Sequence, residues 1–290
     1  MHFKEVKGIL SPKNGMNISR GCIHGCIYCD ARSKCYSMDH DFEDIEIKIN
    51  ARRLLEQKIQ TKRKKCMIGT GAMSDPYMPV SENLNITRDC LQIIEKHGFG
   101  LAIQTKSTLI LKDLDLLIKI NNNAKCIVEI TLTTFDESLC KIIEQNVSTT
   151  KERFETLKIL RDNGIQTIVW LGPILPFIND TEENLRGILN YCIEAKVYGI
   201  ICFEMGLTLR EGSREYFYEK LDRHFPGLKQ KYQHRYGNSY ILTSDNNEGL
   251  MKIFTKTCRE NNIVYGNDKL FKYMSTFEEK NKNGQLELFE

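Results

Sequence analysis

Between residues 66 and 203 the chain repeats one pattern, a short apolar run followed by a longer stretch with apolar residues three and four apart. The run 66–70 precedes 85–97, where Cys90, Ile93, Ile94 and His97 fall at helical spacing. Run 101–105 precedes 111–120. Run 127–132 precedes 150–163, with Phe154, Leu157 and Leu160 on one face and Gly164 placed to stop the helix. Run 165–171 precedes 181–195, where Leu185, Ile188, Leu189 and Cys192 share a face, and 199–203 closes the series. With a first strand near 16–19 and a helix over 50–60, this makes six β/α units. Strands alternating with helices at this period predict an α/β fold with a parallel sheet and right-handed crossovers. Six units curve toward a partial (β/α)6 TIM-like barrel rather than the full eight, with chemistry at the C-terminal strand ends.

Beyond Phe203 the alternation stops. Residues 211–225 and 248–262 read as helices, Pro226-Gly227 as a turn and 238–243 as an extra strand or hairpin. The expected organisation is a barrel over 1–205, a C-terminal helical cap over 206–277 and a mobile tail over 278–290, whose first residues are too polar to pack. Hydrophobic content of 41%, charged content of 27% and a mean hydropathy of -0.38 fit a soluble globule built on one principal core. Stretch 165–177 is broken by Gln166, Pro173 and Pro176 and is too short for a bilayer, and residues 1–13 lack a secretory apolar segment. A cytoplasmic location with no membrane association is expected. The 11 cysteines are odd in number and irregularly spaced, which excludes a disulfide framework. Cys66, Cys90, Cys126, Cys192 and Cys202 lie inside apolar patterns and are expected in the core.

A net charge of +3 is too mild to indicate nucleic-acid binding. Two local runs are more pointed: Lys62-Arg63-Lys64-Lys65, and 229–235 with Tyr232 and Tyr236 among the basic residues. They read as solvated faces, or as a phosphate-tracking patch in which the tyrosines stack on bases.

Cys22, Cys26 and Cys29 form C-x3-C-x2-C, with Tyr28 before the last and with Gly21 and Gly25 freeing the loop to wrap a ligand. Chance gives this spacing about once in eighty chains of this cysteine content. Three thiolates are one short of a closed four-ligand site. Holding three irons of a [4Fe–4S] cube, they leave the fourth iron open for chemistry. A zinc site completed by His24, Cys35 or His40 is the competing reading, followed by scattered structural cysteines.

C-x3-C-x-aromatic-C resembles the signature of the radical S-adenosylmethionine (SAM) superfamily. Further residues resemble its spore photoproduct lyase-like (DNA repair photolyase-like) group: Tyr28-Cys29-Asp30-Ala31-Arg32-Ser33, Ser74-Asp75-Pro76-Tyr77, Thr105-Lys106-Ser107, the 173–180 stretch, and Leu209-Arg210-Glu211-Gly212-Ser213-Arg214. The resemblance implies a [4Fe–4S] cluster on Cys22, Cys26 and Cys29, with SAM chelating the open iron. It implies Tyr28 against SAM, with Ser74, Lys106 and Thr131 on its polar groups and Arg153 paired with its carboxylate. It also implies an external one-electron reductant of flavodoxin or ferredoxin type, and a 5′-deoxyadenosyl radical that abstracts hydrogen from a nucleic-acid-related substrate such as damaged DNA.

One departure matters. Spore photoproduct lyase carries a hydrogen-donating cysteine where this chain has Ala72, so either Cys140 or Tyr77 serves instead or the substrate is not spore photoproduct. At the far end Gln285, Leu286, Leu288 and Phe289 resemble the pentapeptide by which bacterial DNA-processing enzymes dock on the sliding clamp. Two rival functions stand beside this reading: a radical SAM enzyme acting on a peptide or small metabolite, and a non-catalytic zinc nucleic-acid-binding module.

Overall fold

The structure is a computed structural model that describes residues 1–280. The chain begins with β1 (His2–Lys4), β2 (Gly15–Met16), β3 (Ser19–Arg20), β4 (Glu46–Lys48) and α1 (Ala51–Gln60). The β/α series continues through β5 (Met67–Thr70), α2 (Ser81–Lys96), β6 (Gly100–Thr105), α3 (Leu114–Asn123), β7 (Cys126–Leu132), α4 (Glu137–Ile143), α5 (Thr150–Asp162), β8 (Gln166–Leu171), α6 (Glu182–Glu194) and β9 (Gly199–Ile201). Then come β10 (Gly206–Thr208), α7 (Ser213–His224), α8 (Leu228–Tyr236), β11 (Ile241–Thr243), α9 (Asn247–Glu260) and α10 (Asn267–Ser275).

Six strands form one sheet in the order β2-β5-β6-β7-β8-β9, every pair parallel. Strands covered on both faces must be apolar throughout, and every residue of β7 is buried. The sheet does not close, since β2 and β9 are its two edges. This is the expected partial barrel. Helix α5 starts on a capping box, in which Thr149 accepts from the Glu152 N–H while the Glu152 carboxylate accepts from the Thr149 N–H. Gly164, at φ +72°, ends it as the sequence predicts.

The floor of the barrel comes from an element the sequence pattern did not announce. Leu270 and Met274 of α10 pack inside the sheet against Met67, Ala102, Ile127, Ile168 and Ile201. A Cβ on Gly199 would lie 2.5 Å from Leu270 Cδ2, which explains the glycine at the start of β9. A small sheet, β1-β4-β3, stands at the opposite end and feeds β3 directly into Gly21 and the cysteine loop. Helix α8 and the short α4 were likewise not expected, and the helix predicted from 111 opens as a 3₁₀ turn over Thr108–Asp113.

Several expectations change. The tail was expected to be mobile from Glu278, yet Lys125 N donates to the Glu278 carbonyl at 3.1 Å and Lys280 N donates to the Asn123 carbonyl at 3.1 Å. The buried Lys125 ammonium pairs with the Glu278 carboxylate at 2.5 Å, which explains why these polar residues dock. Residues 281–290, and with them Gln285, Leu286, Leu288 and Phe289, lie outside the described residues. Tyr232 and Tyr236 do not stack on a ligand. Both are buried, with hydroxyls donating to the Pro176 and Thr243 carbonyls, while Lys229 and Arg235 pair with Asp222 and Asp245. The run 62–65 lies in the turn before β5, at the N-terminal strand ends, where Lys65 pairs with Glu279. Cys90, Cys126, Cys192 and Cys202 are buried as expected and Cys66 is half-buried. Among the described residues no helix is long and apolar enough to cross a membrane.

Candidate functional site

A cavity of about 280 Å³ opens at the C-terminal ends of the strands. Cys22, Cys26, Tyr28 and Cys29 form one wall, Ser74, Lys106 and Thr131 stand on the strand-end side, and Leu207 and Thr208 of β10 approach from the C-terminal segment. Residues spread over some 180 positions of sequence thus meet as the barrel rule requires. Two glycines make the approach feasible. Gly21 (φ +82°) turns the chain out of β3, where a Cβ would lie 2.4 Å from the Phe42 carbonyl oxygen. Gly71 (φ +101°) lays its loop against β6, where a Cβ would lie 2.0 Å from the Gln104 carbonyl oxygen.

The cysteine loop is fastened from behind by the turn after α4. Ile27 N donates to the Ile143 carbonyl and Asn146 N to the His24 carbonyl, both at 2.9 Å, and Asn146 Nδ2 donates to the Ile23 carbonyl at 2.8 Å. Cys26 and Glu144 face each other in an isolated antiparallel bridge. The Tyr28 hydroxyl donates to the Glu144 carboxylate, which pairs on its other oxygen with Arg153. Both members of that ion pair are 0% exposed. Burial alone would raise the Glu144 pKa, but Arg153 and then Lys106 hold it below the ordinary value.

This geometry corrects three expectations. Arg153 does not reach the cavity: its guanidinium is fully buried and donates to the Thr131 carbonyl at 2.7 Å and to Glu144 and Cys140. Its charge is met by protein, so it buttresses the wall instead of presenting a fork to SAM. Cys140 is 1% exposed and lies in the same layer behind Tyr28. Tyr77 is fully buried on the helix side, its hydroxyl donating to Asp113 at 3.0 Å. Neither hydrogen-donor candidate faces the cavity.

Tyr28, Ser74, Lys106 and Thr131 all line the cavity. Ser74 lies on the wall, donating to the Gly21 carbonyl at 2.9 Å and bonded to Ser19 Oγ at 2.7 Å, so its hydroxyl also braces the loop. Lys106 points its ammonium to within 5.9 Å of the Tyr28 ring centroid and makes no side-chain hydrogen bond or salt bridge among the described residues. Burial works against its charge, yet Cys26 and Glu144 outweigh it and hold its pKa above the ordinary lysine value. Thr131 Oγ1 accepts a long 3.4 Å bond from Gln104. Asp75, which the sequence reading did not assign, ties the parts together: its carboxylate accepts from Thr105 Oγ1 at 2.7 Å and from Lys106 N at 2.8 Å, and lies 3.4 Å from His24 Nδ1. His24 is buried, so its pKa falls and the ring is neutral, with Nε2 lacking any partner on the cavity wall. Glu144 and Gln104 carry no local motif, and only the fold brings them here; Asp75 lies inside the Ser74-Asp75-Pro76-Tyr77 stretch, which assigns it no role of its own.

Residues 16–192 match the Radical SAM superfamily. The chain belongs to that superfamily. Relatives include an uncharacterised protein of Methanocaldococcus jannaschii, 34% identical over 164 residues (56% of this chain and 60% of that protein). An uncharacterised protein of Mycobacterium tuberculosis is 28% identical over 229 residues, covering 76% of this chain and 66% of that protein. The chain thus spans just under two thirds of the mycobacterial relative. Among solved structures, spore photoproduct lyase complexed with dinucleoside spore photoproduct aligns with a TM-score of 0.61 at 14% identity, covering 90% of this chain and 76% of that one. A variant of the lyase with bound AdoMet and the same dinucleoside gives 0.61 at 13%, covering 84% and 72%. At these identities the likeness is one of fold.

Radical SAM proteins use a [4Fe–4S] cluster and SAM, and this cavity suits both. Burial pushes the Cys22 thiol up to about 12 and raises Cys26 and Cys29, so the bare thiols are neutral and the charge of a metal group is what would draw their protons off. The unpaired Lys106 ammonium and the orphaned His24 Nε2 are polar groups awaiting a polar ligand. A single zinc fits less well. Among the described residues, the metal-type groups whose ligand atoms all lie within 4.8 Å are His2, His40 and Asp44, and Asp39, His40 and Glu46. The loop sulfurs are not such a set, whereas ~2.3 Å zinc bonds would bring thiolates to ~3.8 Å. Cys35 is exposed and bonded by Arg210, His40 groups with His2, Asp39, Asp44 and Glu46, and His24, though on the cavity wall, forms no such set with the loop sulfurs among the described residues.

Proposed function

We propose that this protein is a radical SAM enzyme acting on a nucleic-acid-related substrate. Cys22, Cys26 and Cys29 would hold the cluster, which would supply, with an electron from an external reductant, the reductive cleavage of SAM to the 5′-deoxyadenosyl radical needed for hydrogen abstraction. The chain's own part is placement. Tyr28, fixed through its hydroxyl by Glu144, would offer its ring to SAM, while Lys106 meets negative charge and Thr131 a polar group. Leu207, Thr208 and Pro173 would shield the cavity from water.

The observation that carries this reading is the convergence of three thiols outside any disulfide and the Lys106 ammonium on one cavity at the strand ends. Anaerobic reconstitution should give a brown protein with about four irons per chain. Dithionite should then yield 5′-deoxyadenosine from SAM, and Cys26→Ala should abolish it. One zinc and no iron would overturn the assignment.

The substrate class rests on the strand-end motifs that resemble those of the spore photoproduct lyase group, some of whose solved structures hold dinucleoside spore photoproduct. Spore photoproduct itself is disfavoured. Ala72 lies on the cavity wall where that group carries a thiol, and neither Cys140 nor Tyr77 faces the cavity to replace it. Binding of lesion-bearing oligonucleotides at two salt concentrations tests the class, because phosphate contacts weaken steeply with salt. Equal, salt-insensitive binding of oligonucleotides and peptides would favour a peptide or small-metabolite substrate.

A further inference from the structure

Below the cofactor cavity the barrel holds a second one, about 210 Å³ in volume, and Ala72 and Gln104 stand on the walls of both. The space exists because the strands facing it carry small residues. Gly69 has an ordinary backbone conformation, and a Cβ added there would meet nothing within 4 Å, so neither strain nor crowding requires a glycine. A side chain would simply enter the void.

On the far wall stands Glu129, in the middle of the fully buried β7 and only 6% exposed. Trp170 Nε1 donates to its Oε2 at 2.5 Å, and the other carboxyl oxygen has no protein partner among the described residues. A carboxyl group in such a place is costly unless its remaining lone pairs are met. Burial pushes its pKa up to about 7, against the pull of the indole. Nothing in the radical-generating site uses it.

One wall of this cavity, at Trp170, backs onto two further rings that are not themselves part of its lining. Trp170, on the cavity wall, stands 6.2 Å from Phe203 and 6.0 Å from Phe271 between ring centroids. Phe203, just after β9, is 64% exposed, and Phe271, on α10, is 37% exposed. Exposed flat rings beside a buried, half-satisfied hydrogen-bonding group match what a planar heterocycle needs: faces to stack on and one acceptor for its edge.

Resting on the reading that the substrate is nucleic-acid-related, we infer that this second cavity is the subsite for the reacting base. A ring N–H would be presented to Glu129 and the ring face to the Trp170, Phe203 and Phe271 rings. The base would then lie beside Ala72 and Gln104, next to the cofactor cavity.

Trp170 is the chain's single tryptophan, so its fluorescence reports on this wall alone. Reconstituted full-length protein with SAM is titrated with thymidine, N3-methylthymidine and N-acetylhistidinamide. Thymidine should quench Trp170. Methylation of the ring N–H should weaken binding about tenfold, the worth of one hydrogen bond to a buried group. Phe203→Ala should weaken thymidine and its methylated analogue alike, about fivefold or more, as loss of a stacking partner does. Glu129→Met should abolish discrimination between the two. Equal affinity for both nucleosides in the unaltered protein, indifference to Phe203→Ala, or a response to the peptide amide alone would overturn the assignment. Assaying SAM cleavage and lesion-oligonucleotide binding in the same preparation separates the failures. If both persist while Trp170 stays silent, only the subsite is wrong; loss of either would strike the underlying reading.

Discussion

Replacing Glu144 by glutamine keeps the side chain's shape and removes the carboxylate that, among the described residues, pairs with a guanidinium that is 0% exposed. Arg153 retains its bonds to the Thr131 carbonyl and to Cys140, but neither carries a full negative charge. Stranding one member of a buried pair typically costs about 3–5 kcal/mol, a large part of a stability of about 5–15 kcal/mol. An unfolding entropy of ~2.1 cal/mol/K per residue gives this chain ~0.6 kcal/mol/K, so the midpoint should fall by about 5–8 °C. Urea denaturation of the cluster-free protein, run beside thermal scans, measures the loss. Glu144→Gln combined with Arg153→Met removes both charges and should recover most of it, because the penalty lies in the uncompensated charge more than in the lost attraction. Glu144→Gln should also loosen the tie on Tyr28 and lower iron retention after gel filtration. A Glu144→Gln protein within 1 kcal/mol of the parent, or a double variant no more stable than the single, would refute the view that this pair buttresses the cysteine loop.

Further predictions follow from the same geometry. Glu129, with a pKa near 7 in the fold against an ordinary 4.5, binds its proton more tightly when folded. Its contribution is therefore fully present below pH 4.5 and lost as pH rises through 7, by about 3 kcal/mol. Urea stability of Glu129→Gln should lack that decline, and parallel pH profiles would count against it. Gly71→Ala forces a methyl onto the Gln104 carbonyl at φ +101° and should displace the loop that carries Ser74 and Asp75; retention of full SAM binding in equilibrium dialysis would contradict this. Lys106→Met should weaken SAM binding tenfold or more, as expected for loss of a charge-assisted hydrogen bond of about 1.5–3 kcal/mol, with iron content retained. If affinity is unchanged, Lys106 does not meet the cofactor.

The barrel was legible because its signals are local: apolar runs of strand length, helical spacing, and Gly164 as a stop all survive in one dimension. The cysteine loop was legible for the same reason, since its three cysteines lie within eight positions, from Cys22 to Cys29. Arg153 was misread because its partner, Glu144, sits in an undistinguished turn whose importance comes from contact with Tyr28 across 116 positions. Tyr232 and Tyr236 looked available beside basic residues, but α8 turns its aromatic side inward and leaves the lysines and arginine outside. Cys140 and Tyr77 failed as hydrogen donors because residue type says nothing about which side of a wall a side chain occupies. Glu129 was concealed in plain view, one carboxylate inside a fully buried strand, and only the empty space before Gly69 and the rings beside Trp170 give it meaning.

Helix α10 has a consequence for how the molecule is made. The strands it underlies are complete once Ile201 has been synthesised, but Leu270 and Met274 come some 70 residues later. At ~5–20 residues per second that is an interval of about 4–14 s. Throughout it Met67, Ile127, Ile168 and Ile201 line a bottomless hollow open to water and to other nascent chains. Capture by a chaperone, or aggregation, would strike at this moment, and ribosomes stalled just before Asn267 should display a protease-sensitive half-barrel that becomes resistant once Ser275 has emerged.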